Sequence, residues 1–422
     1  MKISIATVGT RGDIQPYIVL ALSLQDAGFD VTVCGSPNFK GWAGSLGLRY
    51  VGSSIDYNDV MESANIRRVV EGDLVTLARI WRREVIPLLD DTLEAAERAA
   101  AEADAIIYDL KVLGVADIAE ARNIPAICMA TYPSTTATRA FPVPSFPFFQ
   151  MTTSKNLGGA LNRASFEAAR IQRILFLNRI QKWRRETLGL SAGPRFPQFG
   201  ENRKGRLPRM HPVSPHVAPE PDDWDRNVRN TGFLYLDNPT GALDPELGAF
   251  LEKGDAPVYF GFGSMLRTDA DAFTDLIFEG IERSGARAVI EKGWGGMAPE
   301  DTPAHIFQSN RIPHADLLPH MRALVHHGGC GTVAAGLRAG KPSFIVPFSF
   351  AQPWWGRRVN QLDLGPPPIR AKELTSRMLA QRIDEVCHTA SYAQNVAAVS
   401  EKIAEEDGRA GAVRFVSEQL GV

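Results

Sequence analysis

The stretch Leu324-Val325-His326-His327-Gly328-Gly329-Cys330-Gly331-Thr332-Val333-Ala334-Ala335-Gly336-Leu337 has the residue types and spacing of an anion site. A short apolar run, Ala323 to Val325, predicts a strand. It ends in paired histidines and a glycine cluster, after which Val333 to Arg338 predicts a helix. Glycines let the chain turn sharply with its N–H groups converging, and a helix start carries partial positive charge. No acidic residue occurs between Asp316 and Asp363, whereas Arg322, Arg338, Lys341, Arg357 and Arg358 all do. In a chain of net charge −2 this local bias suits a phosphate-bearing ligand. A glycine-rich turn between strand and helix, without a ligand, is the alternative.

The elements that must position such a site alternate along the whole chain. Ile3 to Val8 predicts a first strand, Gly9-Thr10-Arg11-Gly12-Asp13 a glycine loop, and Ile14 to about Ala27 a helix with Pro16 in its first turn and Gly28 as its stop. Val31 to Cys34 and Arg49 to Val51 predict further strands, with Phe39 to Leu46 helical between them. A long amphipathic helix follows over Leu74 to Ala101, then strands over Ala105 to Tyr108 and Ala126 to Ala130. Such alternation implies a parallel, doubly wound sheet whose ligands gather at the carboxyl ends of its strands. Asp13 and Asp109 both fall just after such ends. Val258 to Phe262, Ala286 to Ile290, Ile306, Leu324 to His326 and Ser343 to Val346 predict a second doubly wound sheet, and Lys372 to Leu420 a largely helical tail.

At 422 residues two domains are expected. The Pro-, His- and Asp-rich text from Pro208 to Asp225 marks the join, giving a first domain over 1–210, a linker over 211–227 and a second domain over 228–422. With 44% hydrophobic and 22% charged residues the composition is that of a soluble globular protein, and it lacks the polycationic character of a nucleic-acid binder. Cys34, Cys128, Cys330 and Cys387 are scattered without pairing or metal spacing, as in a reduced compartment. The first residues read as a buried strand rather than a signal peptide, and no apolar run approaches the ~18–20 residues of a membrane span. A cytoplasmic protein is expected.

Two segments stand out from this pattern. Arg139-Ala140-Phe141-Pro142-Val143-Pro144-Ser145-Phe146-Pro147-Phe148-Phe149 is too proline-rich for regular structure and too aromatic for a linker. It reads as an apolar loop lining a cleft or covering a core. Arg163 to Arg209 carries twelve lysines and arginines against three glutamates, and Phe166 to Leu188 within it predicts a basic amphipathic helix. Such a helix lies on an anionic membrane as a peripheral contact, or forms a solvated face over a core.

The motifs together resemble one family. Gly9-Thr10-Arg11-Gly12-Asp13-Ile14-Gln15-Pro16-Tyr17, Thr138 to Pro142, Thr231-Gly232-Phe233, Gly261-Phe262-Gly263-Ser264-Met265, Lys292-Gly293-Trp294-Gly295-Gly296, His326 to Thr332, Arg338 to Pro342 and Pro347 to Gln352 resemble nucleotide-sugar-dependent glycosyltransferases of the two-Rossmann, GT-B architecture. They look most like sterol and lipid 3-beta-glucosyltransferases and their bacterial natural-product relatives, in the right order over nearly the whole chain. The resemblance implies two Rossmann-like domains facing an inter-domain cleft. It also implies inverting transfer of a hexose, glucose from UDP-glucose by default, to a hydroxyl of a large apolar acceptor such as a sterol or polyketide-type aglycone. The base of that chemistry falls on Asp13, where many relatives use a histidine; no histidine precedes His211 here. Capping of the following helix is the alternative role for Asp13. Asp109 is a candidate for positioning the acceptor or supporting Asp13, or is a solvated acid at a strand end.

Donor contacts implied by the resemblance are Gly12, Gly263, Ser264, Trp294, His327, Gly329, Gly331, Thr332 and Gln352, with His327 on the diphosphate. Phe141, Phe146, Phe148 and Phe149 are the acceptor-lining candidates. Helix ends, a histidine and arginines can hold a diphosphate without a metal, so no metal and no cofactor beyond the nucleotide-sugar co-substrate are expected. Asp223-Trp224-Asp225 and Asp269-Ala270-Asp271 fit an Asp-x-Asp metal pattern, but neither follows a predicted strand. One departure bears on the donor. The family carries Asp-Gln where this chain has Ala351-Gln352, so a sugar hydroxyl loses a hydrogen-bond partner and a dTDP-deoxysugar becomes an alternative donor.

Two other classes compete. Gly329-x-Gly331-x-x-Ala334 satisfies a dinucleotide fingerprint, but the ribose-binding acid due about 20 residues on is missing until Asp363. A P-loop fails because Pro342 follows Gly340-Lys341. A non-catalytic nucleotide- or lipid-binding protein has only Ala351 in its favour, and Asp13 and His327 against it.

Overall fold

A computed structural model describes residues 1–63, 80–134, 136–144, 157–170, 174–191, 201–202, 205–236, 243–263, 270–291, 302–309, 312–348 and 351–422. The chain divides into two compact units. The first comprises residues 1–148, 155–236 and 407–422, the second residues 149–154 and 237–406.

The first unit is built on a seven-stranded sheet. Its strands are β1 (Lys2–Ala6), β2 (Asp30–Gly35), β3 (Arg49–Gly52), β4 (Ala105–Asp109) and β5 (Ala126–Met129); after a two-stranded hairpin of β6 (Glu201–Asn202) and β7 (Gly205–Arg206) come β8 (Arg209–His211) and β9 (Val228–Asn230). They lie side by side in the order β3-β2-β1-β4-β5-β8-β9, every pair parallel. Alternate residues of a strand face opposite sides of its sheet, and here both sides are dry. Ile3, Ile5, Ala105 and Ile107 enter one core with Ile14, Ile18 and Leu24 of the helix Arg11–Asp26. Ala6, Ile106 and Tyr108 enter the other with Leu93, Ile118 and Trp183. The expected helix over Leu74 to Ala101 is present where described, as a π turn over Trp81–Val85 and an α-helix over Ile86–Ala99; residues 64–79 lie outside the described residues.

Two boundaries differ from the sequence reading. The stretch 211–227, expected as a linker, connects two strands of this first sheet. Val228–Asn230, expected to open the second domain, pairs with β8 as the seventh strand. The tail is also divided. Its last helix, Gly408–Leu420, packs Ala412, Phe415 and Val416 into the first unit's core beside Leu20 and Leu24, and Arg409 donates to Ser23 Oγ and Asp26 Oδ2.

The basic segment lies partly inside the first unit. It forms the helices Gly159–Arg170 and Ile174–Glu186, with Phe166, Ile180 and Trp183 buried. Several of its charges are used internally. Arg163 approaches Asp223 at 3.9 Å, Arg179 donates to both oxygens of Asp90, and Arg184 is wholly buried between Asp117 and Glu120. Removing one partner of a buried ion pair strands the other charge, at a cost of ~3–5 kcal/mol. Arg184→Met is therefore expected to lower stability by about that much, read as a fall in urea midpoint without a change in slope.

The second unit has a five-stranded sheet in the order β12-β11-β10-β13-β14, again wholly parallel: β10 (Val258–Gly261), β11 (Ala288–Glu291), β12 (Ile306–Ser309), β13 (Ala323–His326) and β14 (Ser343–Ile345). Phe260, Ile290, Val325 and Phe344 face one core; Tyr259, Val289 and Leu324 face the other. Both units are thus parallel sheets covered on both faces, as the alternation of elements predicts. Among the described residues no helix is long and apolar enough to cross a membrane.

Candidate active site

In the first unit the loop after β1 brings Asp13 back over its own backbone. The helix begins at Arg11 with Thr10 as N-cap, so Asp13 is the third helical residue and reaches back to the cap. Thr10 donates twice to Asp13 Oδ2, through its backbone N–H and its hydroxyl, both at 2.9 Å. Gly9 makes this fold-back feasible. Its φ is +142°, and a Cβ there would lie 2.6 Å from Asp13 Oδ2. Gly12 is exposed, with open space where a side chain would stand.

The other oxygen of Asp13 meets a residue that the sequence did not single out. Lys111 Nζ donates to Asp13 Oδ1 at 2.7 Å and lies 3.4 Å from Asp109 Oδ2. Asp109, at the end of β4, is buried rather than solvated. It also accepts from the Lys111 N–H (2.9 Å) and from the Thr7 hydroxyl (3.4 Å). Capping and ion pairing therefore coexist at Asp13. Burial pushes its carboxyl up, but the Lys111 ammonium and the Thr10 donors outweigh burial and hold it below the usual carboxylate range. At Asp109 burial wins over Lys111, and its carboxyl sits above that range. Burial would lower Lys111, but the carboxylates of Asp109 and Asp13 hold its ammonium well above the ordinary lysine range. The signal for Lys111 was its place two residues after the strand-end acid.

In the second unit, β13 runs into the glycine turn and the helix Cys330–Arg338, as the spacing predicts. The two histidines have different surroundings. His326 is fully buried and its Nδ1 accepts from the Gly328 N–H at 3.1 Å; burial, then the neighbouring His327 and His314, push its imidazole well below the usual range. It shapes the turn as a neutral ring. His327 is half-buried, with Nδ1 3.3 Å from the Gly261 carbonyl. With the Nδ1 proton directed at that carbonyl, Nε2 donates only in the imidazolium form. Nε2 faces the turn: a Cβ on Gly329 would lie 2.5 Å from it, and one on Gly263 would lie 3.1 Å from Cε1. Gly329 is the helix N-cap, and the intrahelical ladder starts with the Val333 N–H on the Gly329 carbonyl. The amides of Gly331 and Thr332 therefore belong to the first turn, where N–H groups point out of the helix.

Gln352 begins the helix Gln352–Gln361. It is buried, and its Oε1 accepts from the Phe348 N–H at 2.8 Å. Ala351 caps that helix without a side-chain acceptor. Trp355 is wholly buried and packs the core, whereas Trp354 is half-buried. Phe141 is also half-buried, its ring 6.3 Å from Phe166. Ser264, Trp294, Phe146, Phe148 and Phe149 lie outside the described residues. Asp223 and Asp225 are occupied locally: Asp223 accepts from the Thr138 hydroxyl and the Arg139 N–H, and Asp225 from the Asn227 N–H. Asp269 of the other triplet lies outside the described residues.

Comparison with known proteins gives these sites a context. Residues 3–142 match the glycosyltransferase family 28 N-terminal domain, and residues 295–413 the erythromycin biosynthesis protein CIII-like C-terminal domain. Among curated relatives, two sterol 3-beta-glucosyltransferases of Arabidopsis thaliana are 32% and 30% identical, aligned over 100% and 98% of this chain and 66% and 67% of their own lengths. A sterol 3-beta-glucosyltransferase of Candida albicans is 30% identical over 99% of this chain but 28% of its own. The chain thus spans about two thirds of the plant relatives and under a third of this fungal one. Among solved structures, the kitacinnamycin glycotransferase superposes with a TM-score of 0.72 at 16% identity over 99% of both chains. The calicheamicin glycosyltransferase gives 0.68 at 19%, over 100% of this chain and 98% of its own. These two likenesses bear on the fold, and the plant alignments on descent. The chain belongs to the GT-B glycosyltransferase family that includes the sterol 3-beta-glucosyltransferases.

Proposed function

We propose that the protein transfers a hexose, glucose from UDP-glucose by default, to a hydroxyl of a large apolar acceptor such as a sterol or polyketide-type aglycone. Transfer is inverting and needs no metal. The acceptor oxygen attacks the anomeric carbon, its proton passes to the Asp13 carboxylate, and the carbon–oxygen bond to the diphosphate breaks with the electron pair leaving on the diphosphate. Asp109 supports Asp13 through Lys111. His327 and the first-turn amides of Gly331 and Thr332 take the charge that develops on the leaving group. Gly12, Gly263, Ser264, Trp294, Gly329 and Gln352 complete the donor contacts. Phe141, with Phe146, Phe148 and Phe149, lines the acceptor side.

The observation that carries this reading is an ionised carboxylate held at the carboxyl end of β1, in a chain that aligns along its whole length with sterol glucosyltransferases. A cytoplasmic enzyme that meets a membrane-borne acceptor belongs to the same reading. Leu157 and Leu161, exposed just ahead of the basic segment, support it.

A dTDP-deoxysugar donor is the second reading. Ala351 favours it, because no side chain at that position accepts from a sugar hydroxyl. Calorimetric titration with UDP, UDP-glucose, a dTDP-deoxysugar and NAD, without added metal, separates the readings. A sterol panel analysed by mass spectrometry then reports transfer. UDP binding and a product heavier by one hexose are expected. Preference for the dTDP sugar would favour the second reading, and binding of NAD alone would overturn both.

A further inference from the structure

Lys111 grips the two carboxylates of the first unit in different ways. It holds Asp109 through its backbone N–H on Oδ1 (2.9 Å), with Nζ 3.4 Å from Oδ2, and it holds Asp13 through Nζ on Oδ1 (2.7 Å). The oxygens of Asp13 are not equivalent. A carboxylate oxygen has two lone pairs, and Thr10 occupies both on Oδ2. The lone pair left for an incoming proton is therefore on Oδ1, the oxygen that Lys111 holds.

We propose that Lys111 is a positioning residue for the reaction: it fixes the proton-accepting oxygen of Asp13, with Asp109 as its second counter-ion. The proposal rests on the reading of Asp13 as the base. A lysine serving one surface acid would lose its partner when that acid was protonated. Here the acceptor O–H proton goes to Asp13 Oδ1 as the acceptor oxygen bonds to the anomeric carbon and the diphosphate leaves with its electron pair. The ammonium then stays paired with buried Asp109 and does not follow the proton. After product leaves, Asp13 returns the proton to water and the Lys111 contact reforms. Among the described residues, Tyr17 and Tyr57 are titratable groups that face the trio. Burial pushes both phenols up, Tyr57 to about 12, so neither changes charge over the working range.

The test is the pH profile of kcat/KM for the wild type, Lys111→Met, Lys111→Arg and Asp109→Asn, with UDP affinity by calorimetry as the check that each variant is folded. Loss of a neighbouring cation raises a carboxyl by roughly 1–3 units. The acidic limb of Lys111→Met is thus expected to move to higher pH by about one unit or more, and Lys111→Arg to restore it. Asp109→Asn is expected to leave the limb in place, because the Asp109 carboxyl, held above the usual range by burial, is already neutral where Asp13 titrates. A limb that follows the charge at position 111 and not the one at 109 is a signature that a purely structural lysine would not produce. An unmoved limb in folded Lys111→Met overturns the proposal. If Lys111→Met does not fold, Lys111→Gln decides it on the same readout. Full activity in Asp13→Asn would instead remove the base reading itself, so the two failures are distinguishable.

Discussion

Asp13→Asn is expected to lower the rate of sugar transfer by about 10²–10⁴-fold, the usual contribution of a general base, while UDP affinity stays as in the wild type. Asparagine keeps the size of the side chain, and its carbonyl oxygen can still accept from Thr10, so the helix start is preserved. It cannot take a proton from the acceptor. A carboxyl held below the ordinary range is a weak base, and for proton affinity alone that is a disadvantage. It matters less where the acceptor hydroxyl becomes acidic only as its oxygen bonds to carbon. The base must then be ionised and in place, and Lys111 with Thr10 secures both. Because the shift is downward, the wild-type rate is expected to stay level into mildly acidic buffers and to fall only as pH drops through the lowered value. Single-turnover product formation measures the loss. A variant with undiminished transfer would refute Asp13 as base.

His327→Ala is expected to weaken UDP binding by roughly 10–100-fold. A hydrogen bond to a charged group contributes about 1.5–3 kcal/mol, and ~1.4 kcal/mol corresponds to a tenfold change in affinity. The Gly261 carbonyl orients the ring, so the loss should be felt mainly at Nε2. Turnover should fall as well, since a donor aimed at the leaving oxygen acts most strongly when charge develops there. Calorimetry against UDP gives the first effect and initial rates at saturating donor the second. Unchanged UDP affinity would discredit the cradle around the glycine turn, whatever happens to the rate.

Much of this was legible in the residues. Strands such as Lys2–Ala6 and Val258–Gly261 are short, largely apolar and lead into glycine-containing turns, and helices such as Arg11–Asp26 carry their own start and stop signals. Local pattern determines local structure, so the alternation of strand and helix and the glycine turn at His327 could be read in order. The candidate donor and base residues likewise stand in motifs that are contiguous in the chain.

Partners distant in the chain were not legible. Val228–Asn230 is only three residues long, and nothing in it tells whether it opens a new sheet or closes an old one. The free edge of β8 decided that. The helix Gly408–Leu420 is amphipathic wherever it lies, and Ser23 and Asp26, nearly four hundred residues away, determine which unit holds it. Asp13 and Lys111 are 98 residues apart, so their ion pair exists only once β1 and β4 lie side by side. The sequence by itself determined the elements, the family and the candidate groups. The tertiary structure decided which of two adjacent histidines is buried and neutral and which faces the turn, and which oxygen of Asp13 meets Thr10 and which meets Lys111. Burial and charge pairing depend on what surrounds a side chain in space, and neighbours along the chain do not specify that.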